Sequence, residues 1–326
     1  MKTMEFDRRN FIKQSAMLGT AGTLGLTGSV SAKENLWHAD SPAPKDPERR
    51  ANRIGMSTYC FWHFRGEKLG MKECIDHAAR MGFDGVELLH VQMKDDSNSA
   101  LQKIKRQCHT LGLDLMGFST HQGFVYPDKA KRDREIAKTK SQVEKAHELG
   151  IPTMRINTGR WGLIGFDELM KNKGIEPRLE GYSDDDGFEW VIDSIEKILP
   201  TAEKNGVVLG LENHWGLGRT AQGVLRIAEA IDSPWLGLTL DTGNFLENQY
   251  EQFEAMTLSK IPLQLIQAKT YFGGGRWYEL DIDYARIARM LKKARYRGYI
   301  SLEFEGNEDA ITGVPKSLAL LRKHFA

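Results

Sequence analysis

Three carboxylates and one carboxamide stand where apolar runs stop. Glu212 follows the run 207–211, Asp241 follows 236–240, Gln267 follows 261–266, and Glu303 closes 299–302. The stretch 209–215, Leu-Gly-Leu-Glu-Asn-His-Trp, shows the pattern best. A strand buried in a parallel sheet is apolar on both faces, and α/β folds carry their chemistry at the carboxyl ends of such strands. Three carboxylates and an amide oxygen make a hard, oxygen-rich donor set. They suit one divalent ion, Mn²⁺ in first place, with Mg²⁺, Ca²⁺, Co²⁺ or Zn²⁺ as alternatives; zinc usually asks for more nitrogen or sulfur.

Further polar side chains fall at the ends of other expected strands. His214 lies two residues after Glu212, His121 follows the third strand, and Arg155 and Asn157 end the fourth. Glu87 and His90 sit at the end of the second. Lys269 follows Gln267 by two, where it holds a substrate oxygen or pairs with a carboxylate. Trp62, Trp161, Trp215 and Trp277 fall in loops after strands. An aromatic face beside polar groups suits the apolar face of a sugar ring, although such rings also cap barrels. His214, His121, Arg155, Asn157, Glu87, Lys269 and Trp215 are therefore the expected substrate contacts.

The elements that must position these residues alternate strictly. Strands are expected at 54–57, 85–89, 113–118, 153–157 and 207–211, then ending at 241, ending near 269, and at 299–304. Helices are expected at 71–81, 101–111, 131–149, 188–204, 221–231, 250–258, 283–294 and 311–325. Glycine or Asn-Gly stops several of them. Eight strand–helix pairs predict a single (β/α)8 TIM barrel of the α/β class over 53–326. An open doubly wound sheet would want a Gly-rich phosphate loop after its first strand, and Ser-Thr-Tyr-Cys-Phe-Trp at 57–62 is not one. The segment 159–186 is glycine-rich, acidic and long for a connection, so it reads as a functional loop; with Gly273–Gly275 it is a candidate lid.

The totals exclude several classes. A net charge of +1 over 326 residues leaves no electrostatic footprint for nucleic acid. Three cysteines, Cys60, Cys74 and Cys108, have neither even number nor metal-ligand spacing, and read as core thiols. At the N-terminus, Arg8-Arg9 precedes a glycine-rich apolar run and then Val30-Ser31-Ala32. That combination resembles a twin-arginine export signal over 1–32, followed by a linker over 33–52. It implies recognition by the twin-arginine translocation machinery and a periplasmic protein. No stretch is long and apolar enough for a stable membrane span. A homo-oligomer stays open.

Four motifs carry a resemblance to a known family: Leu-Glu-Asn-His-Trp-Gly at 211–216, Leu-Asp-Thr-Gly-Asn at 240–244, Gln-Ala-Lys-Thr at 267–270 and Ser-Leu-Glu-Phe-Glu-Gly at 301–306. On these the chain resembles the sugar phosphate isomerase/epimerase group of xylose-isomerase-like TIM barrels. Ketose 3-epimerases and inosose dehydratase belong there, with endonuclease IV a distant cousin. The resemblance implies a metal held by Glu212, Asp241, Gln267 and Glu303, with Gln267 standing where the epimerases have histidine. It implies that the metal chelates adjacent oxygens of a polyhydroxy ketone and stabilises an enediolate. Glu212 and Glu303 would then be the proton-transferring pair. Asn244 also replaces a frequent histidine. These two departures, export and the balanced charge argue against a multi-zinc phosphodiesterase.

An exported enzyme meets few sugar phosphates, so a non-phosphorylated sugar or sugar derivative is the expected substrate of an isomerase or epimerase. A keto-sugar lyase, hydratase or dehydratase uses the same base if a leaving group sits β to the carbanion. A non-catalytic periplasmic carbohydrate-binding protein is the rival outside the enzymes. The export reading predicts that replacing Arg8 and Arg9 by lysine leaves an unprocessed precursor in the cytoplasm, as seen by fractionation and immunoblotting; unaltered export overturns it.

Overall fold

A computed structural model describes residues 51–62 and 68–326 of the chain. The expected export signal and all but the last two residues of the expected linker lie outside the described residues. Eight strands form a closed barrel in sequence order. They are β1 (Ile54–Ser57), β2 (Gly85–Leu89), β3 (Asp114–Ser119), β4 (Thr153–Ile156), β5 (Val208–Glu212), β6 (Leu236–Asp241), β7 (Leu263–Thr270) and β8 (Ile300–Phe304). Every neighbouring pair is parallel, including β8 with β1, which closes the ring.

The helices run α1 (Met71–Met81), α2 (Asn98–Leu111), α3 (Lys129–Leu149), α4 (Phe166–Lys171), α5 (Asp184–Asn205), α6 (Ala221–Ile231), α7 (Gln249–Leu258), α8 (Tyr284–Lys293) and α9 (Ala310–Phe325). The glycine stops work as expected: Gly82 ends α1 at φ +82°, and its N–H donates to the Ala78 and Ala79 carbonyls. Two elements differ from the expectation. The acidic triplet Asp184–Asp186 opens α5 and is not the tail of a loop. Ser183 Oγ accepts from the Asp186 N–H and the Asp186 carboxylate accepts from the Ser183 N–H, a reciprocal cap favoured further by negative charge at a helix N-terminus. The short α4 lies inside the long segment 159–186.

Strand alternation divides the interior in two. One set of side chains, including Ile54, Met56, Val86, Leu88, Phe118, Met154, Leu209, Leu211, Leu238, Leu240, Ile266 and Leu302, joins the helices in one continuous apolar core. The other set faces the barrel axis. At the amino end of the strands it forms a small separate apolar plug of Met116, Leu265 and Tyr299. Above that plug the inward side chains are polar. The strands are thus apolar on their outer face, while the inner face turns polar towards the mouth, which corrects the expectation of strands apolar on both faces. Among the described residues no helix is long and apolar enough to cross a membrane.

Candidate active site

Seven charged residues are buried among the described ones: Glu87, Arg155, Glu212, Asp241, Lys269, Glu303 and Glu305. All seven lie on, or next to, the carboxyl ends of barrel strands, five acids against two bases. Burying a charge is costly unless it is paired, so this concentration marks a site.

Lys269 organises the upper tier. Its Nζ donates to Asp241 Oδ2 at 2.8 Å and to Glu303 Oε2 at 2.7 Å, and lies 3.4 Å from Glu305 Oε1. Register makes this contact: Lys269 pairs with Glu303 across β7–β8, and Asp241 with Gln267 across β6–β7. Burial works against the ammonium, but Asp241, Glu303 and Glu305 outweigh it and hold Lys269 charged, well above the usual lysine range. Burial pushes the Asp241 and Glu212 carboxyls upward, against the pull of Lys269 and Arg155 respectively. Asp241 is fixed from behind: Asn213 clasps its backbone N–H and C=O at 2.7 and 2.9 Å, and Gly243 N–H donates to Oδ1 at 2.7 Å. Glu212 Oε1 accepts from Asn244 Nδ2 at 3.1 Å, while its Oε2 is buried without a hydrogen-bond partner, 3.4 Å from Arg155 Nε.

A lower tier lies beneath. Gln267 Nε2 donates to Glu87 Oε1 at 2.8 Å and approaches Ser119 Oγ at 3.3 Å. Ser119 Oγ also donates to Glu87 Oε1, and Ser301 Oγ donates to Glu87 Oε2 at 2.5 Å. Gly117 makes room: a Cβ there would meet Glu87 Cγ at 3.2 Å. Burial raises the Glu87 carboxyl. With its nitrogen committed to Glu87, Gln267 leaves Oε1 buried and unpartnered.

A cavity of about 630 Å³ opens above the upper tier. Of the expected site residues, Glu212, Glu303, His214, His121, Arg155, Asn157, Lys269 and Trp215 line it. Asp241 and Gln267 lie behind this lining. Glu87, expected to touch substrate, does not line the cavity: it stands two residues before the end of β2, bonded to Ser119, Gln267 and Ser301, and Leu89 at the strand end takes the lining position. His90 is likewise structural, held between Asp96 at 2.9 Å and Gln142 at 2.9 Å. Lys269 pairs with carboxylates, one of its two expected roles, and also lines the cavity. His121 and His214 meet edge to face with centroids 6.2 Å apart, and burial with the nearby Arg155 charge keeps both imidazoles neutral. Of the loop tryptophans, Trp215 and Trp277 line the cavity, whereas Trp161 packs on Trp190 and its Nε1–H reaches Asp184.

Several lining residues were not among those expected. Glu305 follows Glu303 by two, so strand alternation alone would have placed it on the same side. Its Oε1 accepts from Tyr59 O–H at 3.0 Å. Gln122, Tyr126, Arg160 and Tyr278 come from loops, Tyr59 from a turn of 3₁₀ helix after β1 and Phe166 from the start of α4, and none carried a local signal. Asn244 holds Glu212 and accepts from Tyr278 O–H at 3.3 Å.

The donor set fits a divalent ion in its chemistry. Two of the four expected ligands, Glu212 and Gln267, each offer a buried, unpartnered oxygen, and carboxylates exceed cations. Its arrangement is centred on the Lys269 ammonium, and among the described residues no group of three or more His, Cys, Asp or Glu is placed to hold a metal.

Residues 75–324 match the xylose isomerase-like TIM barrel family. The chain belongs to that family. It is 33% identical over 160 residues to a C-glycoside deglycosidase alpha subunit of Arthrobacter globiformis, covering 45% of this chain and 42% of that one. It is 30% identical over 144 residues to an uncharacterized protein of Methanocaldococcus jannaschii, covering 40% and 47%. Both alignments thus span less than half the length of the relatives they match. Solved structures with the same fold include a D-psicose 3-epimerase from Clostridium cellulolyticum H10 (TM-score 0.66, 16% identity, 84% of this chain and 99% of that one). Another is a 3-keto-D-glucoside 4-epimerase from E. coli (TM-score 0.66, 18% identity, 83% and 99%). At these identities the likeness is one of fold.

The upper tier makes a measurable prediction. Lys269→Met leaves Asp241 and Glu303 buried without their cation, and the expected loss is about 3–5 kcal/mol in urea unfolding of metal-free protein. A loss below about 1 kcal/mol would mean that the ammonium does not hold these carboxylates.

Proposed function

We propose that the chain is a divalent-metal-dependent isomerase or epimerase of a non-phosphorylated sugar or sugar derivative, exported to the periplasm. It moves a proton at the carbon beside a carbonyl. The observation that carries this reading is the pair Glu212 and Glu303, which line one cavity from strands three places apart around the barrel. Two carboxylates approaching a planar intermediate from different sides are what inversion at carbon requires.

Glu212 is suited to take the proton. Asn244 occupies one of its oxygens, and the other is buried without a hydrogen-bond partner and so has a lone pair to accept it. Glu303 returns a proton to the opposite face or to the neighbouring carbon. Without an ion Lys269 sets a positive charge against Glu303 and Asp241, and its contact with Glu305 gives it a third carboxylate to hold it when an ion draws on the other two. The neutral His121 and His214 hydrogen-bond substrate hydroxyls without adding charge. Arg155, anchored by its Nη1 to the Thr120 carbonyl at 2.6 Å, faces the developing oxyanion side from beside Glu212. Glu212, Asp241, Gln267 and Glu303 would hold the divalent ion, with Mn²⁺ preferred. A bound ion supplies polarisation of the substrate carbonyl. Glu87 supports this by fixing which way the Gln267 amide points.

A second reading is a keto-sugar lyase: the same base gives elimination when a leaving group sits β to the carbanion. The C-glycoside deglycosidase relative favours it. Both readings are tested together. Wild type should exchange a substrate C–H for deuterium in D₂O when offered free and glycosidic keto-hexoses, and Glu303→Gln should slow this by roughly 10²–10⁴-fold. The chain should also retain one equivalent of divalent metal by elemental analysis, lost in Asp241→Ala. No metal retained or taken up from Mn²⁺, Mg²⁺, Co²⁺ or Zn²⁺, together with no exchange, would leave a carbohydrate-binding protein in its place.

A further inference from the structure

We propose that the cavity has a second-ring subsite, and that the substrate is a glycoside whose second ring, aryl or sugar, sits beneath Phe166, Trp215 and Trp277. This rests on the keto-sugar reading above and narrows its substrate class.

Size is the first argument. At ~30 Å³ per water, about 630 Å³ is room for roughly twenty waters, more than the dozen or so heavy atoms of one hexose displace. Polarity is the second. Glu212, Lys269, Glu303 and Glu305 form the floor of the cavity. The part formed by Phe166, Trp215, Trp277 and Tyr278 is aromatic. Phe166 meets Trp277 edge to face at 5.2 Å and 79°, and Trp215 at 6.3 Å and 70°. Trp215 meets Tyr278 at 6.0 Å and 88°. These edge-to-face contacts hold the rings together as one aromatic corner of the lining, and a flat apolar ring packs against such a surface.

Charge is the third. Arg160 is the guanidinium on this side of the cavity, and it is committed: Nη1 lies 3.4 Å from Glu176 Oε2 and Nη2 donates to the Ile164 carbonyl at 3.1 Å. Glu176 also accepts from the Trp161 and Gly162 N–H groups at 2.8 and 2.9 Å, which fixes the segment carrying Phe166. A phosphate would compete with Glu176 and the Ile164 carbonyl for Arg160, whereas a ring makes no such demand.

Binding of glucose, phenyl β-D-glucoside and cellobiose to the full chain with Mn²⁺ present, by calorimetry, tests the proposal without turnover. At least one glycoside should bind about tenfold or more tighter than glucose, and Phe166→Ala and Trp277→Leu should each shrink that preference towards one. Preference for the phenyl glucoside alone identifies an aryl occupant, and for cellobiose a sugar. Equal affinities, no binding of any probe, or a preference untouched by both substitutions would overturn the subsite. Deuterium exchange separates the two readings. Exchange on free keto-hexose without ring preference sinks the subsite alone. Ring preference without exchange on any keto-sugar sinks the enzymatic reading and leaves the subsite.

Discussion

One ammonium group sits among three buried carboxylates at the barrel mouth, and the rest of the site is arranged about it. Lys269 bridges Asp241 and Glu303 at hydrogen-bond distance and reaches Glu305. Carboxylates this close repel one another in a medium that screens poorly. The fold tolerates them because β7 delivers a cation in register between β6 and β8. Arg155 does the same, less closely, for Glu212. Five acids remain against two bases, and the balance is met by raised carboxyl pKa values and by hydrogen bonds from Asn244, Gly243, Ser119 and Ser301.

The tiers divide the labour. The apolar plug of Met116, Leu265 and Tyr299 fills the barrel below, so the polar layer above it has a firm base. Glu87 then orders Gln267 and two serines into a network that leaves one amide oxygen unpartnered. The upper tier holds the charges, and the loops supply the aromatic walls. Rigid strands carry the groups whose positions must be accurate, and loops carry those that select what enters. At Gly216 the chain has φ +88°, and a Cβ there would meet the Gly159 carbonyl oxygen at 2.2 Å. The loop after β5 and the loop after β4 can therefore lie against each other, which brings Trp215 to Phe166.

Membership of the xylose isomerase-like TIM barrel family accounts for the barrel. The chain's individuality lies in two amides. Gln267 stands above Glu87, and Asn244 supports Glu212 while receiving Tyr278. Both put neutral, fixed-orientation groups where the resemblance drawn from the sequence has a histidine in the epimerases. An amide has one donor end and one acceptor end, so its neighbours decide which atom faces the site.

Strict alternation of apolar strands and amphipathic helices determined the barrel from the sequence, because each strand must be covered and each helix has one face to cover it. The abrupt polar ends of the strands likewise picked out Glu212, Asp241, Gln267 and Glu303, and all four are buried on β5 to β8. Even the Ser183 cap and Glu305 were readable in the local sequence, the one as Ser-x-x-Asp, the other by alternation from Glu303. Register was not. Whether Lys269 reaches substrate or carboxylate, and whether Glu87 faces the cavity or the barrel axis, depends on strand stagger, which no single segment encodes. The aromatic walls were also a tertiary matter: Phe166, Trp215 and Trp277 lie far apart in the chain and meet only because three loops converge over one mouth.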